Sequence, residues 1–308
     1  MPFDLIEPLV IGISSRALFD LEAENKLFEE QGVAAYEAYQ VAHEKDILPK
    51  GPAFELVKAF LSLNQIPEVR DRHLVEVIIM SRNSPNTSLR IFNSVKAYEL
   101  DITRAALSGG AEIAPYLKAF HTDLFLSAHE ADVKQAIDNN IAAGMILNTA
   151  PQTGPQAKIR QIRIAFDGDA VLFSSEAERV FRQKGIEAFQ QSEQSKADIP
   201  LQEGPFTNFL RTIAHIQSLF PEKETSPIRT ALVTARNAPA HERAIKTLRY
   251  WNVRIDEAFF LGGVRKKEIL SAFGAHIFFD DQRIHAEPAS EVVPSAVVPY
   301  RAWDDPQV

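Results

Sequence analysis

A chain of 308 residues is long enough for two units that each bury a core. Its formal net charge of −8 leaves no basic footprint, so nucleic acid and anionic membranes are excluded as main partners. The absence of cysteine removes disulfides, thiolate metal sites and cysteine nucleophiles together.

The first ten residues include Asp4 and Glu7 and lack the basic start and apolar core of a signal peptide. No apolar run approaches the roughly 18 to 20 residues that span a bilayer, so a cytoplasmic protein is expected. Leu9–Ile13 reads as a strand, followed by Ser14-Ser15-Arg16 and a long helical pattern carrying Leu21, Leu27 and Phe28. Gly51-Pro52 opens a helix with Phe54, Val57, Phe60 and Leu61 on one face. Val75 to Met80 is a second buried strand ending at Ser81, and Leu124 to Leu126 a third ending at Ser127. Ala131 to Ala143 reads as a helix leading into a short strand, Met145 to Leu147, and Asn148 to Lys158 as a linker, where Thr, Pro, Gly and Gln cluster without apolar periodicity.

Beyond the linker the order recurs. Ile162 to Phe166 is a strand, and Ser175 with Glu178 makes a Ser-x-x-Glu capping box at the next helix. Gly204-Pro205 precedes a helix bearing Phe206, Phe209, Leu210 and Ile213. Ile228 to Val233 is a strand ending at Thr234, and Ile245, Leu248 and Trp251 mark a helix. Ala275 to Phe279 is a strand ending at Asp280-Asp281. Sliding the chain against itself by about 153 positions pairs Gly32 with Gly185, Gly51-Pro52 with Gly204-Pro205, Arg90 with Arg243 and Gly109-Gly110 with Gly262-Gly263, without a gap. This reads as an internal duplication. The expected fold is α/β, with two tandem Rossmannoid parallel-sheet halves at 1–150 and 159–308. Each half carries a mostly helical cap inserted after its first strand, at about 174–227 in the second half.

In the second half, three apolar strands end in residues suited to phosphate chemistry: Asp167 with Asp169, then Thr234, then Asp280 with Asp281. Arg265-Lys266-Lys267 stands just before the last of these strands. Singly, each signal is more often a solvated turn or surface charge. Together, a carboxylate able to attack phosphorus needs cancellation of its repulsion by the dianion. That makes Asp167, Asp280 and Asp281 a candidate Mg²⁺ site of hard oxygen ligands, with Asp169 counted among the candidate ligands. Gly168 permits a tight turn that presents backbone N–H groups, and Asp169, facing away from the metal, suits a proton donor with a raised pKa. Arg236 and Arg265 are candidates for substrate phosphate, with Ala235 between Thr234 and Arg236. No histidine shows metal-ligand spacing.

The ordered set Asp-x-Asp, Thr, Lys, Asp-Asp resembles the four motifs of the haloacid dehalogenase (HAD-like) superfamily. That resemblance implies Asp167 as nucleophile, Asp169 as general acid and then base, Thr234 as hydrogen-bond donor to the phosphoryl group and Lys266 as its fixed cation, with Lys267 as the competing choice. Ile13 to Phe19, Gly51 to Phe54, Ala165 to Phe173, Leu232 to Arg236 and His276 to Gln282 resemble the cytosolic 5′-nucleotidase type I family over almost the full chain. The resemblance implies Mg²⁺-dependent hydrolysis of nucleoside monophosphates to nucleoside and phosphate. A sugar phosphatase or a nucleoside phosphotransferase would use the same site. A phospho-accepting signalling module is disfavoured, because there the acidic pair comes first. A nucleotide effector and a homo-oligomer remain compatible with the resemblance.

The 153-residue offset sets Ser14, Arg16, Ser81, Ser127 and Ala128 opposite Asp167, Asp169, Thr234, Asp280 and Asp281. The first half is therefore expected to be a fold copy without catalysis, serving as packing partner, lid or effector site. Ser14, Ser15 and Arg16 suit an anion there. The tail from Val298 to Val308 suggests docking elsewhere.

Overall fold

The computed structural model describes residues 4–69, 71–147, 159, 161–220, 222 and 225–302; the expected linker at 148–158 and the end of the tail, 303–308, lie outside them. Among the described residues ten strands are formed: β1 Leu9–Ile13, β2 Val75–Ser81, β3 Arg104–Leu107, β4 Leu124–Ser127, β5 Ala142–Ile146, β6 Ile162–Phe166, β7 Ile228–Thr234, β8 Glu257–Phe260, β9 Ile277–Asp280 and β10 Ser295–Val297. They join in one sheet, ordered β3-β2-β1-β4-β5-β10-β9-β6-β7-β8. The fold is α/β with a mostly parallel sheet, as expected.

Strands β1, β2, β4 and β9 are buried at every position, which is why they read as continuous apolar runs. The outer strands β3 and β8 are only half-buried and carry Arg104 and Glu257, so no apolar run announces them. β10, buried but three residues long, was equally silent. The helix expected over Ala131 to Ala143 ends earlier, spanning Glu130–Asp138, and β5 starts at Ala142. Ala and Gly have little strand preference of their own; here the slot between β4 and β10 decides. Gly144 is required in that slot, because a Cβ there would lie 2.8 Å from Ala296 Cβ.

Within β1 to β5 every pairing is parallel, as it is within β6 to β10. The two sets meet where β10 runs antiparallel to β5. Their strands therefore point in opposite directions, and the carboxyl ends of the two sets lie on opposite edges of the same sheet. The starts of β6, β7, β8, β9 and β10 each fall about 153 residues after those of β1 to β5, in agreement with the self-alignment. Backbone details follow the same offset. Gly32 and Gly185 break their long helices at φ 79° and 80°, and Glu99 and Asn252 take left-handed φ of 54° and 52°.

The segments after β1 and β6 divide into two parts. Glu22–Ala42 and Glu176–Ser195 are kinked helices closed off by the bridges Phe19↔Lys50 and Phe173↔Glu203. The following helices, Phe54–Ser62 and Thr207–Ser218, pack on the sheet, so the stretch standing over the strand ends is shorter than the 174–227 expected. Helix 207–218 is placed by apolar spacing, with Phe209, Leu210, Ile213 and Ile216 buried. The Ser175–Glu178 capping box does not form; the Glu176 N–H is taken instead by Ser174 Oγ at 3.4 Å. Glu178 is drawn instead to Arg182 and Tyr300. Among the described residues no helix is long and apolar enough to cross a membrane.

Candidate active site

Under the site lies an aromatic cluster. Phe166, the last residue of β6, stacks on Phe279 of β9 at 5.8 Å and meets Phe206 and Phe209 edge-on at 6.1 and 6.2 Å. Locking Phe166 and Phe279 side by side brings the next residue of each strand, Asp167 and Asp280, to the same point on the edge. The Asp167 N–H donates to the Phe279 carbonyl at 2.8 Å, which closes the junction.

Carboxylate oxygens of Asp167, Asp280 and Asp281 all lie within 4.8 Å of one another, and all three residues are buried. Lys266, the first residue of helix Lys266–Phe273, sends its ammonium between them, 2.8 Å from Asp167 Oδ1 and 2.7 Å from Asp280 Oδ2. Lys267 points away to Glu291 on the surface. Asp280 is further held by the Gln282 N–H at 2.8 Å. Burial raises Asp167 to about 6 against the pull of Lys266. Burial, then the neighbouring Asp280 and Asp167, push Asp281 well above the usual carboxylate range. Burial acts on Asp280 too, but there Lys266 and His285 prevail and hold it below that range.

The cluster fits a hard divalent cation. Three carboxylates converge against one ammonium, and Asp281 Oδ1 is buried without a hydrogen-bond partner among the described residues. Those are the conditions in which an oxygen ligand is left for a metal.

Asp169 is engaged by an arginine. Its carboxylate lies outside the converging trio and takes a two-pronged contact from Arg236, Nε to Oδ2 at 2.8 Å and Nη2 to Oδ1 at 2.7 Å. Arg236 also holds Glu193 on the kinked helix, and Arg243 binds the other oxygen of Glu193 at 2.7 Å. The Arg236 guanidinium lies over Phe173 and Phe189, at 5.7 and 5.5 Å. This arginine thus ties the helix over the site to the sheet. A second tie is Tyr300, whose hydroxyl joins Asp281 to Glu178.

Thr234 ends β7 with its hydroxyl accepting the Arg236 N–H at 3.2 Å. Gly168 faces it: a Cβ at Gly168 would come 3.2 Å from Thr234 Oγ1. The tight turn after β6 is made at Ala170, with φ 60°, so close approach and not a left-handed φ explains Gly168. Ala235 is exposed between Thr234 and the buried Arg236, and Arg265 is exposed at the start of the Lys266 helix. Neither Ala235 nor Arg265 is drawn into the cluster.

Glu178, Glu193 and Tyr300 were not legible as site residues. Glu193 and Tyr300 carry no local motif, and Glu178 read only as half of a helix capping box. One signal did exist, because Arg243 repeats Arg90 in the self-alignment. A buried arginine at both places requires a buried acid at each, found as Glu193 and Glu24.

Comparison with known proteins gives two findings. The 5′-nucleotidase family model matches residues 1–305. The chain is 39% identical over 293 residues to human cytosolic 5′-nucleotidase 1B, covering 92% of this chain and 47% of that protein, so it spans about half the length of that relative.

Proposed function

Because the chain belongs to the 5′-nucleotidase family, we propose that it hydrolyses nucleoside 5′-monophosphates to nucleoside and phosphate at the edge built by Asp167, Asp280, Asp281 and Lys266. The observation that carries this reading is the convergence of three buried carboxylates on one buried lysine at adjoining strand ends. Asp167, Asp280 and Asp281 would hold Mg²⁺, which when bound supplies the positive charge that lets a carboxylate meet a phosphate dianion.

Asp167 is the nucleophile. One of its oxygens forms a bond to phosphorus while the bond from phosphorus to the nucleoside O5′ breaks, leaving an aspartyl-phosphate. Lys266 and Thr234 face the phosphoryl oxygens as cation and hydroxyl donor. Asp169 passes a proton to the departing O5′ and later takes one from the water that attacks phosphorus, releasing phosphate and restoring Asp167. For either transfer the Arg236–Asp169 pair has to open, while Arg236 and Arg243 keep their hold on Glu193 and its helix. Arg236, freed from Asp169, is then available to the substrate.

The matching strand offsets favour an origin by duplication, with 1–150 as the half that lost its acids and 159–308 as the catalytic half. The test is Asp167→Asn. A folded variant that releases no phosphate from nucleoside monophosphates with Mg²⁺ is expected; near wild-type release would sink the proposal. A panel of sugar phosphates and acceptor nucleosides separates the hydrolase from a sugar phosphatase or a phosphotransferase.

A further inference from the structure

On the opposite edge of the sheet, at the carboxyl ends of β1, β2 and β4, lies a cavity of about 570 Å³. That size suits a small ligand. Its floor includes Ser14, Ser81 and Ser127, which stand in the places of Asp167, Thr234 and Asp280, and Ile113 lines it in the place of Lys266. The three converging acids and the lysine of the catalytic edge are thus replaced by neutral groups, and Asp169 by Arg16, which is paired with Glu22.

The three hydroxyls share a hydrogen-bonding role. Ser14 Oγ accepts the N–H of Ala17 at 3.2 Å, Ser81 Oγ that of Asn83 at 3.1 Å and Ser127 Oγ that of His129 at 3.0 Å. A hydroxyl has one proton to donate, and accepting from the backbone leaves that proton for another partner. Ser15 Oγ, 3.2 Å from Ser81 Oγ, adds a fourth hydroxyl beside them. Arg82 in the lining, paired with Asp132, brings a cation to the rim. Where the acids of the other edge require a metal before a phosphate dianion can enter, this floor offers donors and no carboxylate in their places.

The other wall is aromatic. Phe28 and Tyr36 meet edge-on at 5.9 Å on the kinked helix Glu22–Ala42, and Phe28 is left 45% exposed. A flat base would cover that ring. Glu29 and Glu37 on the same helix supply acceptors for ribose hydroxyls or an exocyclic amine.

We infer that this cavity binds a nucleoside monophosphate without a metal and without hydrolysing it, the phosphate on Ser14, Ser81 and Ser127 and the base against Phe28 and Tyr36. The choice of nucleotide rests in part on the function proposed for the other edge; the anion-binding floor does not.

The experiment is calorimetric titration of the full chain in EDTA with adenosine monophosphate, adenosine and inorganic phosphate. Expected is saturable binding of one adenosine monophosphate per chain, with adenosine and inorganic phosphate each at least tenfold weaker, retained in Asp167→Asn. Ser81→Asp, which sets a carboxylate beside Ser15, should weaken binding tenfold or more. Phe28→Ala, at an exposed ring that the fold does not need, should weaken it severalfold. Absence of saturable binding in EDTA, or binding abolished by Asp167→Asn, or unchanged in both Ser81→Asp and Phe28→Ala, would overturn the inference. Binding as expected in a protein that releases no phosphate with Mg²⁺ would refute the proposed function and support this site.

Discussion

Lys266 and Asp280 form a buried ion pair at 2.7 Å, and the same ammonium is shared with Asp167 at 2.8 Å. Removing the cation leaves two buried carboxylates facing each other. Lys266→Met should therefore cost about 3–5 kcal/mol of stability in EDTA, the range for breaking a buried pair. Mg²⁺ should restore part of that loss, because the acids that lost their lysine gain a cation. Phosphate release should fall about 10²–10³-fold. Denaturant melts with and without Mg²⁺, beside initial rates, check both.

The raised Asp167 gives a pH signature. Its ordinary value is about 3.9 and its folded value about 6, so between those limits the fold holds a proton that the unfolded chain has released. Stability from this group therefore falls as pH rises through that window and stays lowered above it. In EDTA, Asp167→Asn should be more stable than the wild type above pH 6, by up to about 3 kcal/mol, with the gap closing toward pH 4. Guanidinium unfolding of both proteins across pH 4 to 8 measures it. A gap that widens toward acid pH would contradict the burial argument.

Arg236 binds Asp169 through two nitrogens and Glu193 through a third contact, a geometry that lysine cannot reproduce. Arg236→Lys should keep the fold, lose about 2 kcal/mol and impair turnover more than Lys267→Gln, whose target is a surface pair. Thermal melts and rates on the two variants provide the comparison.

Two glycines of the segment over the Asp167 edge separate steric from conformational demand. At Gly204 a Cβ would sit 2.5 Å from the carbonyl oxygens of Phe173 and Val171, so Gly204→Ala should prevent folding or cost more than about 3 kcal/mol. At Gly185 nothing among the described residues lies within 4 Å, but φ +80° with ψ −179° is a region that essentially only glycine adopts, and Gly185→Ala should cost about 1–3 kcal/mol. Chemical denaturation ranks them; the reverse order would refute both assignments.

Sequence and structure agree best where burial is continuous. β1, β2, β4, β6, β7 and β9 were legible because both faces are covered, and with them the positions of Asp167, Thr234 and Asp280 at strand ends. Lys266 was legible only as one of two neighbours, and helix phase decides between them by turning Lys267 to the surface. Strands β3 and β8 were missed because an outer strand has less to bury. Asp169 was placed by pattern as a candidate metal ligand and free acid. Its actual partner, Arg236, stands 67 residues away and shares no motif with it. Contacts of that span follow from how the kinked helix Glu176–Ser195 folds over the edge, which periodicity does not encode.

The antiparallel seam between β5 and β10 turns the molecule into one with two fronts. Ligands of the acids and of the serines would approach from opposite sides, so neither would block the other's path. A binder raised against one face, or attachment of that face to a support, would leave the opposite entrance open.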